Sequence, residues 1–323
     1  MNKPSVDIAV IAYNQELLIK ETLDSIVNQS YEKINHIIVT DDGSTDGTPK
    51  IIGEYSSKNP IIIPVLAKKN KGIAHNMNRA LKYVNADYVV IMGGDDLMHK
   101  QKIEKQVNYL NLNTDLVACT HDVDVFNSKT GKSLGKFSEI ISFKKKVNEE
   151  LSVKSLFDPS LFLSASAVMY RSEKIPPNGF DTRLKYLNDF LFNVEILMKG
   201  NLGYIDEVLG TYRIHGNNVT SSQEAKMMGY EDTMIAFSII LSKYPELFSL
   251  VKKRKIATYI DQILKSVKDG NSERAKILSR VLISEGSYIK GISAFLLAGI
   301  LNKDRVDKIY ENRRLLKFFL KFV

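Results

Sequence analysis

The chain has 323 residues, 44% hydrophobic and 25% charged, which is the balance of an ordinary folded protein rather than a disordered or collagen-like one. That length calls for a large domain with a second element beside it. One cysteine, Cys119, excludes an internal disulfide and fits a reducing compartment.

No run reaches the roughly 18–20 apolar residues of a membrane span, and the N-terminus lacks the apolar segment of a signal peptide, so a cytoplasmic location is expected. The net charge of +8 is uneven. Residues 1–222 balance 26 basic against 26 acidic groups, leaving 19 against 11 in 223–323. That asymmetry points to chemistry in front and an anionic surface partner behind.

Residues 6–13, VDIAVIAY, are short, apolar and mostly β-branched, so they predict a buried strand. A helix follows over 16–29, with Leu17, Leu18, Thr22, Ile26 and Val27 as its apolar stripe. Residues 35–40 predict a second strand, Thr45–Tyr55 a helix, Pro64–Ala67 a strand, Ile73–Val84 a helix and Tyr88–Met92 a strand. Strands alternating with helices at this spacing build a parallel α/β sheet, which places ligands at the carboxyl ends of its strands. Beyond residue 100 the pattern is mixed, with helices at 100–110 and 188–199 and strands at 116–120 and 167–171. From about Ser222 it is helical to the end, and the polar run from Gly216 to Gln223 marks a boundary, giving domains 1–222 and 223–323.

Two acidic turns close strands of the expected sheet. Asp41-Asp42-Gly43-Ser44 puts carboxylates where a nucleotide base could donate an N–H to them, although Ser44 or Thr45 could equally cap the next helix. Gly93-Gly94-Asp95-Asp96 sets two carboxylates side by side, which is costly unless a cation or ligand hydroxyl offsets them. Hard oxygen ligands suit Mg²⁺ or Mn²⁺. In Tyr212-Arg213-Ile214-His215, extended alternation directs Arg213 and His215 to one face. Asp122-Val123-Asp124 repeats the acidic spacing inside a strand and reads as an acceptor-side wall or plain surface.

Taken in order, VIAYN (10–14), IVTDDGSTDG (38–47), NKG (70–72), NRAL (78–81), ADYVVIMGGDDL (86–97), GFD (179–181) and GYIDEVLGTYRIH (203–215) resemble a family 2 glycosyltransferase. The resemblance covers residues 5–220. It implies the GT-A fold, a Rossmann-like mixed sheet flanked by helices, to which this chain adds a C-terminal helical extension. It further implies the surface-polysaccharide type of bacterial enzyme, a hexosyl- or N-acetylhexosaminyl-transferase working with Mg²⁺ or Mn²⁺.

Carried over residue by residue, Ala12, Tyr13 and Asn14 resemble nucleotide contacts, Asp42 the base-binding carboxylate and Asn78 a further donor contact. Asp95 resembles the ribose or phosphate contact and Asp96 the metal ligand. Arg213 and His215 resemble the phosphate and cation contacts. Asp189, in Lys185-Tyr-Leu-Asn-Asp-Phe190, resembles the general base; the alternative is that it caps the helix behind it. The chain departs from the pattern at Gly93 and Asn188, where the family often has acidic residues.

These residues imply an inverting transfer from a nucleotide diphosphate sugar, with uridine the expected base, to a glycan or lipid-linked acceptor hydroxyl. The alternative is a glycan- or nucleotide-sugar-binding module with a decayed site. A nucleotidyltransferase would carry a glycine-rich basic loop near the N-terminus, where this chain has Tyr13-Asn14-Gln15-Glu16. No nucleic-acid reading motif is present. In 313–323, helical spacing sets Arg313, Lys317 and Lys321 beside Leu315, Phe318, Phe319 and Phe322, a pattern suited to a peripheral seat on an anionic membrane or, equally, to packing on the catalytic domain or another subunit.

Overall fold

The computed structural model describes residues 3–141, 150–158, 163–216, 218, 223–287 and 291. The chain divides into two compact units, Met1–Asp232 and Thr233–Val323.

The first unit is built on a mixed sheet. Its strands are β1 (Val6–Ala12), β2 (Ile34–Asp41), β3 (Ile62–Leu66), β4 (Tyr88–Gly93), β5 (Leu97–Met98), β6 (Leu116–Asn127), β7 (Lys132–Lys136), β8 (Met169–Arg171) and β9 (Asn201–Ile214). The order is β3-β2-β1-β4-β8-β6-β9-β5, with β7 paired to β6. β1 to β4 are mutually parallel, as helical crossovers require. β8 then runs antiparallel between β4 and β6, and β6 runs parallel to β9. The helices are α1 (Ile19–Val27), α2 (Thr48–Lys58), α3 (Ile73–Leu81), α4 (Lys102–Leu112), α5 (Phe137–Ile140), α6 (Val153–Leu156) and α7 (Asn188–Leu197).

β1, β4 and the second half of β2 are buried almost throughout, with α1 adding Ile19, Leu23 and Ile26 and α4 adding Ile103, Val107 and Leu110 to one core. At the amino edge the fully buried Asp7 accepts from the backbone of His36, Asn85 and Ala86 and from the Asn35 amide. This ties the starts of β2 and β4 to β1. Register sets Ala12 beside Asp41 and Ile11 beside Gly93, so both acidic turns leave the same carboxyl edge.

Several expected elements shift. α1 begins at Ile19, not residue 16, and Leu17 is 86% exposed, so it is no part of the apolar stripe. The cause is Asn14, whose φ of +50° turns the chain before the helix can start. α2 begins at Thr48, where Pro49 suits the first helical turn; residues 45–47 are instead spent on the loop. Residues 165–167 form a 3₁₀ turn, and β8 starts after it.

α8 (Gln223–Lys243) runs across the division between units. In the second unit α9 (Phe248–Lys268) and α10 (Ser272–Ser284) bury Tyr259, Ile263, Leu264 and Val267 together with Ala275, Leu278 and Leu282. Asn271 caps α10 by accepting Arg274 N–H at 3.0 Å, and Lys255 pairs with Glu285 at 2.7 Å. The segment 313–323, read above as amphipathic, lies outside the described residues.

Candidate active site at the carboxyl edge

The first two loops lock together. Asn14 N–H donates to Ser44 Oγ at 2.8 Å while Asn14 Oδ1 accepts Thr45 N–H at 2.9 Å, and Glu16 accepts Gly47 N–H at 2.7 Å. Ala12 is buried and its carbonyl accepts Asp42 N–H at 3.0 Å, whereas the Tyr13 ring is left 44% exposed. Asp41 is a turn builder: its carboxylate accepts the Gly43 and Ser44 amides and the Ser44 hydroxyl. Ser44 therefore does not cap α2, whose N-cap is Gly47. Gly43, at φ +74°, lies so close to Lys69 that a Cβ would stand 2.7 Å from its carbonyl carbon.

Asp42 is buried and accepts Lys71 N–H at 3.1 Å, Gly72 N–H at 2.7 Å and Arg79 Nη2 at 2.5 Å. Arg79 also bonds Asn76, yet its buried Nε has no acceptor among the described residues. Sequence reasoning passed over Arg79 for its neighbour Asn78. The Asn78 amide is taken by both backbone groups of Phe180, each at 2.8 Å. Phe180 in turn stacks on Phe192 of α7, with ring centroids 3.9 Å apart. Asn78 thus braces, through Phe180, the helix that carries Asp189.

The Asp95–Asp96 turn is held from three sides. Thr22 Oγ donates to the Gly94 carbonyl at 2.9 Å. Arg213 N–H donates to Asp96 Oδ1 at 3.0 Å, and Ser166 Oγ donates to Asp96 Oδ2 at 2.5 Å. The Arg213 guanidinium is buried and fully engaged in the protein: Nε on the Asp95 carbonyl, Nη1 on Glu21 at 2.5 Å, Nη2 on Leu18 and Thr22. His215 Nε2 lies 2.9 Å from Asp95 Oδ2, so Arg213 and His215 do share a face, and both reach Asp95. Asn218 secures this end by accepting His215 N–H and donating to the Arg213 carbonyl, both at 2.8 Å.

Burial, followed by the neighbouring Asp95 charge, pushes the Asp96 carboxyl up to about 7. Among the described residues no three His, Cys, Asp or Glu side chains form a ready-made metal cage. The donor set nonetheless fits a hard cation. The accessible Asp95–His215 pair and the deeper Asp96 offer carboxylate oxygen and imidazole nitrogen, and Mg²⁺ commonly completes its shell with substrate phosphate oxygens and water.

Asp189 lies in the first turn of α7 and is not its cap, which is Leu187. It is half-buried as a residue, and its carboxylate accepts Phe190 N–H at 2.8 Å. Burial raises its pKa above the ordinary carboxylate value. Asn188, in the place of an acidic residue, is buried and donates to the Lys185 carbonyl at 3.4 Å. The loop before α7 is pinned by Asp232, which accepts Tyr186 N–H at 2.5 Å.

Asp122 is not plain surface: it is buried and accepts the Ser138 amide and hydroxyl. A cavity of 590 Å³ between Lys3, Asp87, Arg171 and Glu173 sits at the amino edge and is lined by none of the candidate site residues.

An acid with a raised folded pKa disfavours folding once it must ionise, so this penalty exists above the raised value and vanishes below 3.8, where both states are protonated. Asp189→Asn should therefore melt higher than wild type at about pH 8, with the gain fading as pH falls to about 4. Thermal melts across that range check it; a pH-independent difference would deny the burial effect.

A family model described as Glycosyl transferase family 2 matches residues 7–175. An uncharacterized protein of Mycobacterium tuberculosis is 30% identical over 223 residues, covering 67% of this chain and 61% of that protein, so the chain spans about three-fifths of the length of that relative. An uncharacterized glycosyltransferase of Haemophilus influenzae is 31% identical over 225 residues, 68% of each chain. Among solved structures, S. aureus TarS 1–349 in complex with UDP-GlcNAc aligns with a TM-score of 0.63 at 17% identity, over 95% of this chain and 91% of that one. The mannosyltransferase PcManGT from Pyrobaculum calidifontis, in complex with GDP-Man and Mn²⁺, aligns with a TM-score of 0.54 at 18% identity, over 93% and 74%. At those identities the structural likeness concerns the fold alone, and that fold is GT-A. On the span of the family match and the identity to the Haemophilus protein, the chain belongs to glycosyl transferase family 2.

Proposed function

We propose that the chain transfers a hexosyl or N-acetylhexosaminyl group from a uridine diphosphate donor to an acceptor hydroxyl, with inversion, in cell-surface polysaccharide or glycolipid synthesis. The observation that carries the reading is the carboxylate turn Asp95–Asp96 with His215 at 2.9 Å, on the sheet edge that also holds Asp42 and Arg79. The donor complexes of TarS and of the mannosyltransferase support a nucleotide sugar as donor.

In this reading Asp42 and the Arg79 Nε, which has no acceptor among the described residues, address the base, a carboxylate and a donor side by side as the uracil edge demands. The exposed Tyr13 ring and the Ala12–Asn14 backbone flank it. Asp95, Asp96 and His215 would hold Mg²⁺ or Mn²⁺, which when bound neutralises charge on the departing diphosphate. Asp189 accepts the acceptor proton as the hydroxyl oxygen bonds to the anomeric carbon. The carbon–oxygen bond to the diphosphate breaks on the opposite face, and its electron pair leaves with the phosphate oxygen. A carboxylate with a raised pKa is the better base for that step. Arg213, with its guanidinium engaged by Glu21, Leu18, Thr22 and Asp95, positions the carboxylate turn and leaves the diphosphate to the cation.

The basic segment 223–323 would seat the enzyme at an anionic membrane carrying a lipid-linked acceptor. Its described part holds exposed Lys252, Lys253 and Phe248. No helix among the described residues is long and apolar enough to cross a membrane.

Asp96→Asn is expected to abolish transfer and cation-dependent donor binding in a folded protein. Asp189→Asn is expected to bind donor but to lose about 10²–10⁴-fold in turnover. Turnover assays with NMR of the product anomer check both; full Asp96→Asn activity in chelator, or a retained anomer, would contradict the mechanism. Donor binding without any turnover by wild type over a broad acceptor panel would favour the binding-module alternative. For the membrane seat, flotation should show salt-sensitive binding to anionic but not neutral liposomes. Binding that ignores lipid charge would remove that proposal.

A further inference from the structure

Ser166 grips both ends of the carboxylate turn. Its Oγ accepts Gly93 N–H at 3.2 Å and donates to Asp96 Oδ2 at 2.5 Å. Yet Ser166 belongs to a three-residue 3₁₀ turn, Ala165–Ala167, a unit with little rigidity of its own. α4 supplies the rigidity from below. Lys102 Nζ donates to the Ser166 carbonyl at 2.5 Å, and Gln106 Nε2 donates to the next carbonyl, that of Ala167, at 2.9 Å. The two side chains are one helical turn apart on the face that also buries Ile103, Val107 and Leu110.

Lys102 is 1% exposed, and an amino group in that position costs more than the apolar residue the helix face would otherwise carry. Burial lowers its pKa to about 7, against the field of Asp96, which favours the charged form. A buried amine is thus set behind the acidic turn, connected to it by one serine.

We propose that Lys102 is a positioning residue for the cation and diphosphate: through the Ser166 carbonyl it fixes the hydroxyl that orients Asp96 and the Gly93 amide. The inference rests on the reading of Asp95, Asp96 and His215 as the cation site. It explains how the turn keeps its shape with glycine at position 93, since the Ser166 hydroxyl bridges that glycine's amide and Asp96.

The test is Mn²⁺ affinity in the presence of UDP, measured by electron paramagnetic resonance on full-length wild type, Lys102→Met, Ser166→Ala, the double variant and Leu110→Ala, each checked for folding by circular dichroism. Lys102→Met and Ser166→Ala should each weaken Mn²⁺ binding by about 10–100-fold, the usual cost of losing an outer partner of a metal ligand. The double variant should be little worse than the weaker single one, because both act through one relay. Leu110→Ala, a core truncation on the same helix face, should lose stability but keep wild-type affinity. Wild-type affinity in folded Lys102→Met would overturn the inference. If that variant fails to fold, unchanged affinity in Ser166→Ala would overturn it alone. Absence of Mn²⁺ binding by wild type would overturn the cation reading and this inference together, which separates the two failures.

Discussion

Asp95 and Asp96 set two carboxylates on adjacent residues, one of them buried, which is a costly feature for a fold, and the groups around them offset that cost. Withdrawing a carboxylate from water costs several kcal/mol even after relaxation, and a like charge beside it adds to the cost. The Asp95–Asp96 turn meets this with an amide from Arg213 and a hydroxyl from Ser166. The buried Lys102 stands behind it and His215 beside it. Burial and the Asp95 charge push Asp96 up to about 7. A divalent cation held there would favour its charged form.

The same logic separates residues that contact substrate in the proposed mechanism from those that hold the contacts in place. Arg213 and Asn78 carry polar groups suited to a phosphate or a sugar, but the fold uses those groups internally. Arg213 joins α1 to the carboxylate turn, and Asn78 joins α3 to the Phe180 backbone that stacks on α7. Arg79 and Tyr13 are the reverse case, with a buried donor that has no acceptor among the described residues and a ring left exposed. Polarity alone does not distinguish the two classes; the distinction lies in whether the donors already have partners.

The β/α alternation in the first 93 residues was legible because each strand there is short and mostly apolar or β-branched, and β1 to β4 lie close to their expected positions. The order of the acidic turns along one edge followed from that. β9 was legible only at its end, in Tyr212-Arg-Ile-His, because its pairing with β6 shifts register at His121–Asp122 and Asp122–Val123 and blurs the alternation. The start of α1 was misplaced because a left-handed Asn14 is a tertiary outcome, fixed by bonds to Ser44 and Thr45 on another loop. Lys102 had a visible signal, a lysine four residues from Gln106 within an apolar helical face, but lysine is so seldom buried that solvent is the default reading. Ser166 had none, since a serine in a short turn acquires meaning only from what the fold brings to it.

The central claim is that the acidic edge binds a cation and a uridine diphosphate as one unit. Thermal stabilisation of the wild-type chain by UDP, GDP and Mn²⁺, singly and in pairs, tests it most directly. Mn²⁺ and UDP together should raise the melting temperature by more than the sum of their separate effects, and by more than Mn²⁺ with GDP. Strictly additive shifts, or equal shifts with both nucleotides, would contradict the account.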